Sequence, residues 1–172
     1  MDGGGYDGDT IEEFFEWTKG KYKRIYSFEP EKKKYELIME NEWKYGNKVK
    51  VYNKGLWSSI KELRFKSGDC QWSGKITEEG EEVIETVYLD KVVKEKVTFI
   101  KLDIEGAEKE AIIGAKNIIK EDVPKMAICI YHRPEDLYEL PFLISEISNQ
   151  YKYYVRHCGM RFAGTILYCV PK

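Results

Sequence analysis

Three observations predict a doubly wound α/β fold in one domain over residues 1–172. A glycine cluster opens into a helix, short apolar runs alternate with helix-spaced ones, and two closing strand-like runs are joined too tightly for a crossover. At 172 residues, 42% apolar and 34% charged, the chain can bury one sheet-centred core and is too balanced for a disordered segment.

Gly3, Gly4, Gly5 and Gly8 follow directly on Met1 and Asp2, which leaves almost no room for a strand before them, so the first strand is expected to be cut short. Beyond the glycines, Ile11, Phe14, Phe15 and Thr18 have helical spacing, with Asp9 as candidate cap and Glu12 returning a capping-box contact. Residues 24–28 read as a strand. Pro30 suits the first turn of a helix striped by Tyr35, Ile38 and Met39, and the run Lys32, Lys33 and Lys34 reads as its solvated face. Residues 48–52 form a third strand, with a turn at 53–55. Stretches 63–65 and 83–89, punctuated by Gly68, Gly74 and Gly80, look like hairpin material in an insertion near the site.

Residues 97–104 are almost continuously apolar, as in a parallel strand covered on both faces. They feed one helix that buries Ala107, Ala111, Ile112, Ala115, Ile118 and Ile119. Another buried strand spans 125–131. After Arg133 and Pro134, the positions Leu140, Ile144 and Ile147 mark a further helix, with Pro141 near its first turn. The runs 151–156 and 165–170 must then pair antiparallel, because a parallel pair needs a longer connection.

Composition excludes several classes. The net charge is −2 with lysines and glutamates interleaved, so the chain has no electrostatic footprint for nucleic acid. Cys70, Cys129, Cys158 and Cys169 are too scattered for a zinc cluster or a disulfide framework and read as free thiols of a reducing cytoplasm, Cys129 within the core. No apolar stretch is long enough for a bilayer, and the N-terminus lacks a secretory pattern, so a cytoplasmic protein with no membrane partner is expected. The sequence does not fix an oligomeric state.

The glycines carry the first chemical signal. Side-chain-free backbone before a helix lets a ligand approach closely. Gly3, Gly5 and Gly8 satisfy G-x-G-x-x-G, and Glu29 falls where an acid meets a ribose diol, so an NAD-dependent oxidoreductase is one reading. S-adenosylmethionine, which carries an ammonium and a sulfonium and no pyrophosphate, is the other. Asp2 before the glycines can attract its cationic end, and the closing antiparallel hairpin belongs to the methyltransferase version of this sheet. The cofactor reading therefore takes in Asp2, Gly3, Gly4, Gly5, Tyr6, Asp7, Gly8 and Glu29, with Tyr6 stacking on the ligand or packing in the core.

Residues 2–10 (DGGGYDGDT), 28–30 (FEP), 99–108 (FIKLDIEGAE), Gly114 with Ala115, and 131–134 (YHRP) together resemble the successive motifs of the FkbM family of methyltransferases. The resemblance spans nearly the whole chain, and FIKLDIEGAE is its most distinctive element. It implies a Rossmann-like class I methyltransferase sheet, S-adenosyl-L-methionine as cofactor, and O-methylation of a saccharide or natural-product hydroxyl. Ser73 as an adenine-side contact is likewise implied by the resemblance. Domains of this family carry sequence ahead of the glycine loop, so a third reading is an inactive, shortened cofactor-binding module.

Asp103 and Glu105 end the buried strand, where open α/β sheets bind ligands, and in extended geometry they share one side. Asp103 is assigned to the cofactor and to proton transfer, against the alternative of a helix cap. Glu105 joins it as a catalytic candidate. Two carboxylates alone do not specify a metal, so none is assigned. His132 follows the next buried strand and is the candidate general base, against a surface-loop histidine held by a carbonyl. His157, in the terminal hairpin, is a weaker candidate.

Overall fold

The computed structural model describes residues 1–68, 74–159 and 163–172, without the side chains of 42, 43 and 45. Seven strands form the main sheet. These are β1 (Asp2–Gly3), β2 (Ile25–Phe28), β3 (Val49–Tyr52), β8 (Phe99–Leu102), β9 (Lys125–Cys129), β10 (Tyr151–His157) and β11 (Thr165–Pro171), in the order β10-β11-β9-β8-β1-β2-β3. Only β11 is reversed: it runs antiparallel to both neighbours, one place in from the edge, while the other pairs are parallel. The closing hairpin is thus antiparallel, as the short connection requires.

The central strand is the surprise. Asp2 and Gly3 pair on one side with Ser27 and Phe28 and on the other with Lys101 and Leu102, so the glycine loop supplies the strand that was expected before it. Met1 extends the ladder. Its amino group donates to Phe99 O at 2.9 Å, and its carbonyl accepts from Lys101 N at 2.9 Å.

A second sheet, in the order β4-β7-β5-β6, is built by β4 (Gly55–Leu56), β5 (Glu62–Lys66), β6 (Lys75–Ile76) and β7 (Glu82–Val87). It is the predicted insertion: β5 and β7 pair antiparallel at Leu63 with Ile84 and Arg64 with Val83.

Helices cover both faces of the main sheet. Alternate residues of β2 point opposite ways. Tyr26 and Phe28 enter the larger core, with Ile100, Ile112, Ile128 and Leu140, whereas Ile25 joins Ile11, Ile38 and Val49 beneath α1 (Asp9–Thr18) and α2 (Lys32–Asn41). Among the described residues no helix is long and apolar enough to cross a membrane.

Three local expectations need correction. The Asp9–Glu12 capping box does not form: Gly8, at φ 94°, occupies the N-cap and has no side chain to offer, and Glu12 N bonds to Gly8 O at 3.0 Å. The single helix after β8 is two, α4 (Glu108–Ile113) and α5 (Lys116–Glu121), following the short α3 (Leu89–Val92). All six of its apolar positions are nonetheless buried. The break falls at Gly114, where a Cβ would stand 2.1 Å from Trp57 O, so a loop of the second sheet presses against it. Pro141 sits inside α6 (Asp136–Ile147), beyond the first turn, and removes one N–H from its ladder.

Candidate active site

The register of β1 sets the site. Gly3 is level with Phe28 on one side and Leu102 on the other, so Gly4, Glu29 and Asp103 leave three adjacent strands side by side. Gly4 N and Gly5 N both bond to Phe28 O, at 3.0 and 3.2 Å, and Asp103 N donates to Gly3 O at 3.1 Å. At Gly4, φ is +80° and a Cβ would lie 1.9 Å from Asp103 O, so only glycine fits.

Glu29 is buried, and each carboxylate oxygen accepts a backbone N–H: Oε2 from Tyr6 at 3.0 Å, Oε1 from Glu31 at 2.9 Å. Burial pushes its pKa up against the pull of those N–H groups and of Lys34. Lys34 does not belong to a solvated face. It pairs with Glu31 at 3.0 Å and lies 4.8 Å over the Tyr6 ring, which packs it against the loop, while Lys32 and Lys33 are exposed.

Asp2 is also buried, and here the expectation changes. One oxygen accepts the Ser27 hydroxyl at 3.0 Å, and the other lies 3.2 Å from Lys101 Nζ, which donates onward to Gly4 O at 2.7 Å. Its charge is therefore met beneath the loop by a lysine of β8, and the pair ties the loop to the neighbouring strand. Burial works against the Lys101 ammonium, but Asp2 and Asp103 hold its pKa above the usual lysine value. Gly3 packs on Leu102 and Leu56, Gly5 faces Ser27, and exposed Asp7 accepts from Asp9 N at 3.2 Å. Ser73, with Cys70 and Trp72, lies outside the described residues.

The second half of the site surrounds His132. Its side chain is only 6% exposed, with Nε2 3.3 Å from Asp103 Oδ1 and 3.5 Å from Glu105 Oε2, and Nδ1 2.9 Å from Glu108 Oε1. Glu108 is fully buried and also accepts Ile104 N at 2.9 Å; Tyr131 donates its hydroxyl to Asp103 Oδ1 at 3.1 Å. Burial disfavours an imidazolium, but the carboxylates of Asp103, Glu108 and Glu105 outweigh it and lift the His132 pKa to about 10. Burial likewise opposes the Asp103 carboxylate, yet His132 and Lys101 bring its pKa down to about 2. The expected free, neutral base at His132 is thus replaced by a buried group enclosed by three carboxylates. Glu105 holds φ 56° just before Gly106 at φ 94°, a turn that brings its carboxylate back over His132.

Sequence reasoning missed Lys101, Glu108 and Tyr131, although all three lie within the segments 99–108 and 131–134. Beside the cluster, a cavity of about 530 Å³ opens between the second sheet and the loops after β8 and β9, lined by Trp57, Leu63, Arg64, Glu105, Gly106 and Arg133. His157 is exposed on the hairpin, its Nδ1 2.9 Å from Thr165 Oγ1.

A mostly parallel sheet with one reversed strand beside its edge, and a glycine loop at its centre, defines the Rossmann-like class I methyltransferase fold. The model of the methyltransferase FkbM domain matches residues 2–162, and the chain belongs to this family. It is similar to the crystal structure of a methyltransferase FkbM from Methylobacillus flagellatus KT, with a TM-score of 0.85 at 27% identity over 98% of this chain. The chain spans 42% of that protein's length. The fold also matches a putative rRNA-methylase from Clostridium thermocellum (TM-score 0.63, 10% identity, 99% of this chain and 83% of that one). A putative methyltransferase from Streptococcus mutans in complex with SAH gives a TM-score of 0.54 at 11% identity over 98% of this chain and 86% of that one. No curated protein matches the sequence.

Proposed function

We propose that the chain transfers a methyl group from S-adenosylmethionine to a hydroxyl oxygen of a small or saccharide acceptor. The observation that carries this reading is the level register of Gly4, Glu29 and Asp103. With strands ~4.8 Å apart, it sets the backbones of two acidic residues about 10 Å from each other across a strand whose next residue is glycine. That donor set suits a ligand with a ribose diol at one end and an ammonium at the other. Glu29 would accept the diol, its orientation already fixed by Tyr6 N and Glu31 N. Asp103, braced by Tyr131, would face the cationic end. When bound, the cofactor supplies an electrophilic methyl on a sulfonium.

A dinucleotide suits the loop less well. A pyrophosphate needs the helix N-terminus, and there the side chains of Asp7 and Asp9 already accept the N–H groups of Asp9 and Thr10, at 3.2 and 2.5 Å. Two acids at that point repel an anion.

The acceptor would enter the cavity beside Glu105, where the Trp57 ring and the charged groups of Arg64 and Arg133 offer a polyol an apolar face and hydrogen bonds. Its hydroxyl proton would pass to Glu105, while His132, braced by Glu108, holds the Asp103 and Glu105 carboxylates in place.

Calorimetry with S-adenosylmethionine, its demethylated product and NAD tests the cofactor, and a labelled methyl donor offered with a panel of glycans and small alcohols tests the acceptor. Heat from both sulfur ligands and label on an oxygen are expected. Tighter binding of NAD, with no heat from either sulfur ligand, would overturn the assignment.

A further inference from the structure

We infer that Asp103, Glu105 and His132 form a binding site for one divalent cation of the Mn²⁺ or Mg²⁺ kind, set at the mouth of the acceptor cavity. One ligand atom from each residue lies within 4.8 Å of the others. The His132 Nε2 separations of 3.3 and 3.5 Å from the two carboxylates are close to the ~3 Å expected between donors that each stand ~2.1 Å from one octahedral ion.

Acidic clusters are common on protein surfaces, and what sets this one apart is the histidine. Its side chain is 6% exposed, both ring nitrogens are buried, neither makes a hydrogen bond of good angle, and Nε2 stands 3.3 and 3.5 Å from the two carboxylates. A buried imidazole left so is costly unless something occupies the point it faces. Behind it, Nδ1 is 2.9 Å from Glu108, a carboxylate with no exposure. A carboxylate behind the imidazole is what fixes a ligating histidine in one tautomer, and Glu108 stands near enough to Nδ1 to take that part.

The donor set selects the ion. Two carboxylates favour hard cations, and a single imidazole without any thiolate does not single out softer ones; Cys129, the nearby sulfur, is buried in β9 with its thiol pKa pushed up by burial. Asp103 and Glu105 keep about a third of their side-chain surface exposed, at 36% and 32%, so the ion's remaining positions face solvent and the cavity that Glu105 lines. An acceptor hydroxyl bound there would be oriented and made more acidic. This use of the ion rests on the methyl-transfer reading above, whereas its binding does not.

The test is titration of the full chain with Mn²⁺, following free Mn²⁺ by electron paramagnetic resonance and repeating with Mg²⁺ in competition. One equivalent is expected to bind, with affinity falling roughly 10- to 100-fold in Glu105→Gln and Asp103→Asn and also in Glu108→Gln, which touches the ion only through His132. Glu105 is the most informative position because its side chain is part-exposed, and circular dichroism confirms that the variant is folded. Absence of stoichiometric binding overturns the inference, as does binding equally tight in folded Glu105→Gln and Asp103→Asn. Calorimetry with the demethylated cofactor in chelator-treated buffer separates the two readings: heat there without Mn²⁺ binding removes the ion alone, and Mn²⁺ binding without heat removes the methyl-transfer reading alone.

Discussion

Glu29 has both carboxylate oxygens engaged by backbone N–H groups and so is fixed before any ligand arrives. Replacing it with glutamine keeps one acceptor, reverses the polarity at the other position and removes the charge. Glu29→Gln is expected to weaken binding of the demethylated cofactor by about 1 to 3 kcal/mol, read by calorimetry, and unchanged affinity in a folded variant would take Glu29 out of the site. Asp2 calls for a different measurement. Because it pairs with Lys101 beneath the loop, Asp2→Asn is expected to lower the urea-unfolding free energy by about 1 to 3 kcal/mol. A loss in cofactor affinity with no loss of stability would restore the reading of Asp2 as a ligand. Glu29 was legible in the sequence because its distance from the glycines reflects one strand-helix-strand crossing. The partnerships of Asp2 with Lys101 and of His132 with Glu108 were not, since each arises only when β8 is laid beside β1 and β9.

Elements marked by apolar or alternating runs were readable: β2, β3 and β9 and the closing hairpin fall where their residues predict. What periodicity cannot show is pressure from a neighbouring element. The helical pattern carries unbroken through Gly114, but at the break between α4 and α5 the Asp90 carboxylate accepts Asn117 N and Ile118 N at 2.9 and 3.0 Å, and the Trp57 carbonyl lies against Gly114. Gly114→Ala is therefore expected to destabilise the protein even though alanine is the better helix former. With a Cβ 2.1 Å from that oxygen, the loop must move, at a cost of about 1 to 3 kcal/mol. A gain in melting temperature would show that the helix can absorb the change. β1 was hidden for a related reason: its two residues have no apolar pattern, and they are a strand only because β2 and β8 supply ladders on both sides. Gly4→Ala should accordingly fail at the sheet as well as the loop, its Cβ meeting Asp103 O at 1.9 Å in a left-handed conformation that alone costs about 1 to 3 kcal/mol.

At the scale of the whole molecule, the site exists only in the folded chain. Its groups come from β1, β2, β8 and β9, and the helices behind them cover opposite faces of one sheet. Nothing in the unfolded chain brings Glu29 and Asp103 together. A ligand that bridges them therefore binds the native state alone and stabilises it by mass action. At a hundred times its dissociation constant the gain is about 2.7 kcal/mol, which for a domain of this size raises the melting temperature by about 5 to 10 °C. The demethylated cofactor is expected to produce that shift in wild-type protein, a smaller one at the same concentration in Glu29→Gln, and none above the ionic background when replaced by NAD. Because Asp7 and Asp9 fill the helix N-terminus, NAD lacks the anchor that its pyrophosphate needs. Equal shifts from the two ligands would mean that the loop recognises only the adenosine they share, and the carboxylate at Asp103 would then have no part in choosing the cofactor.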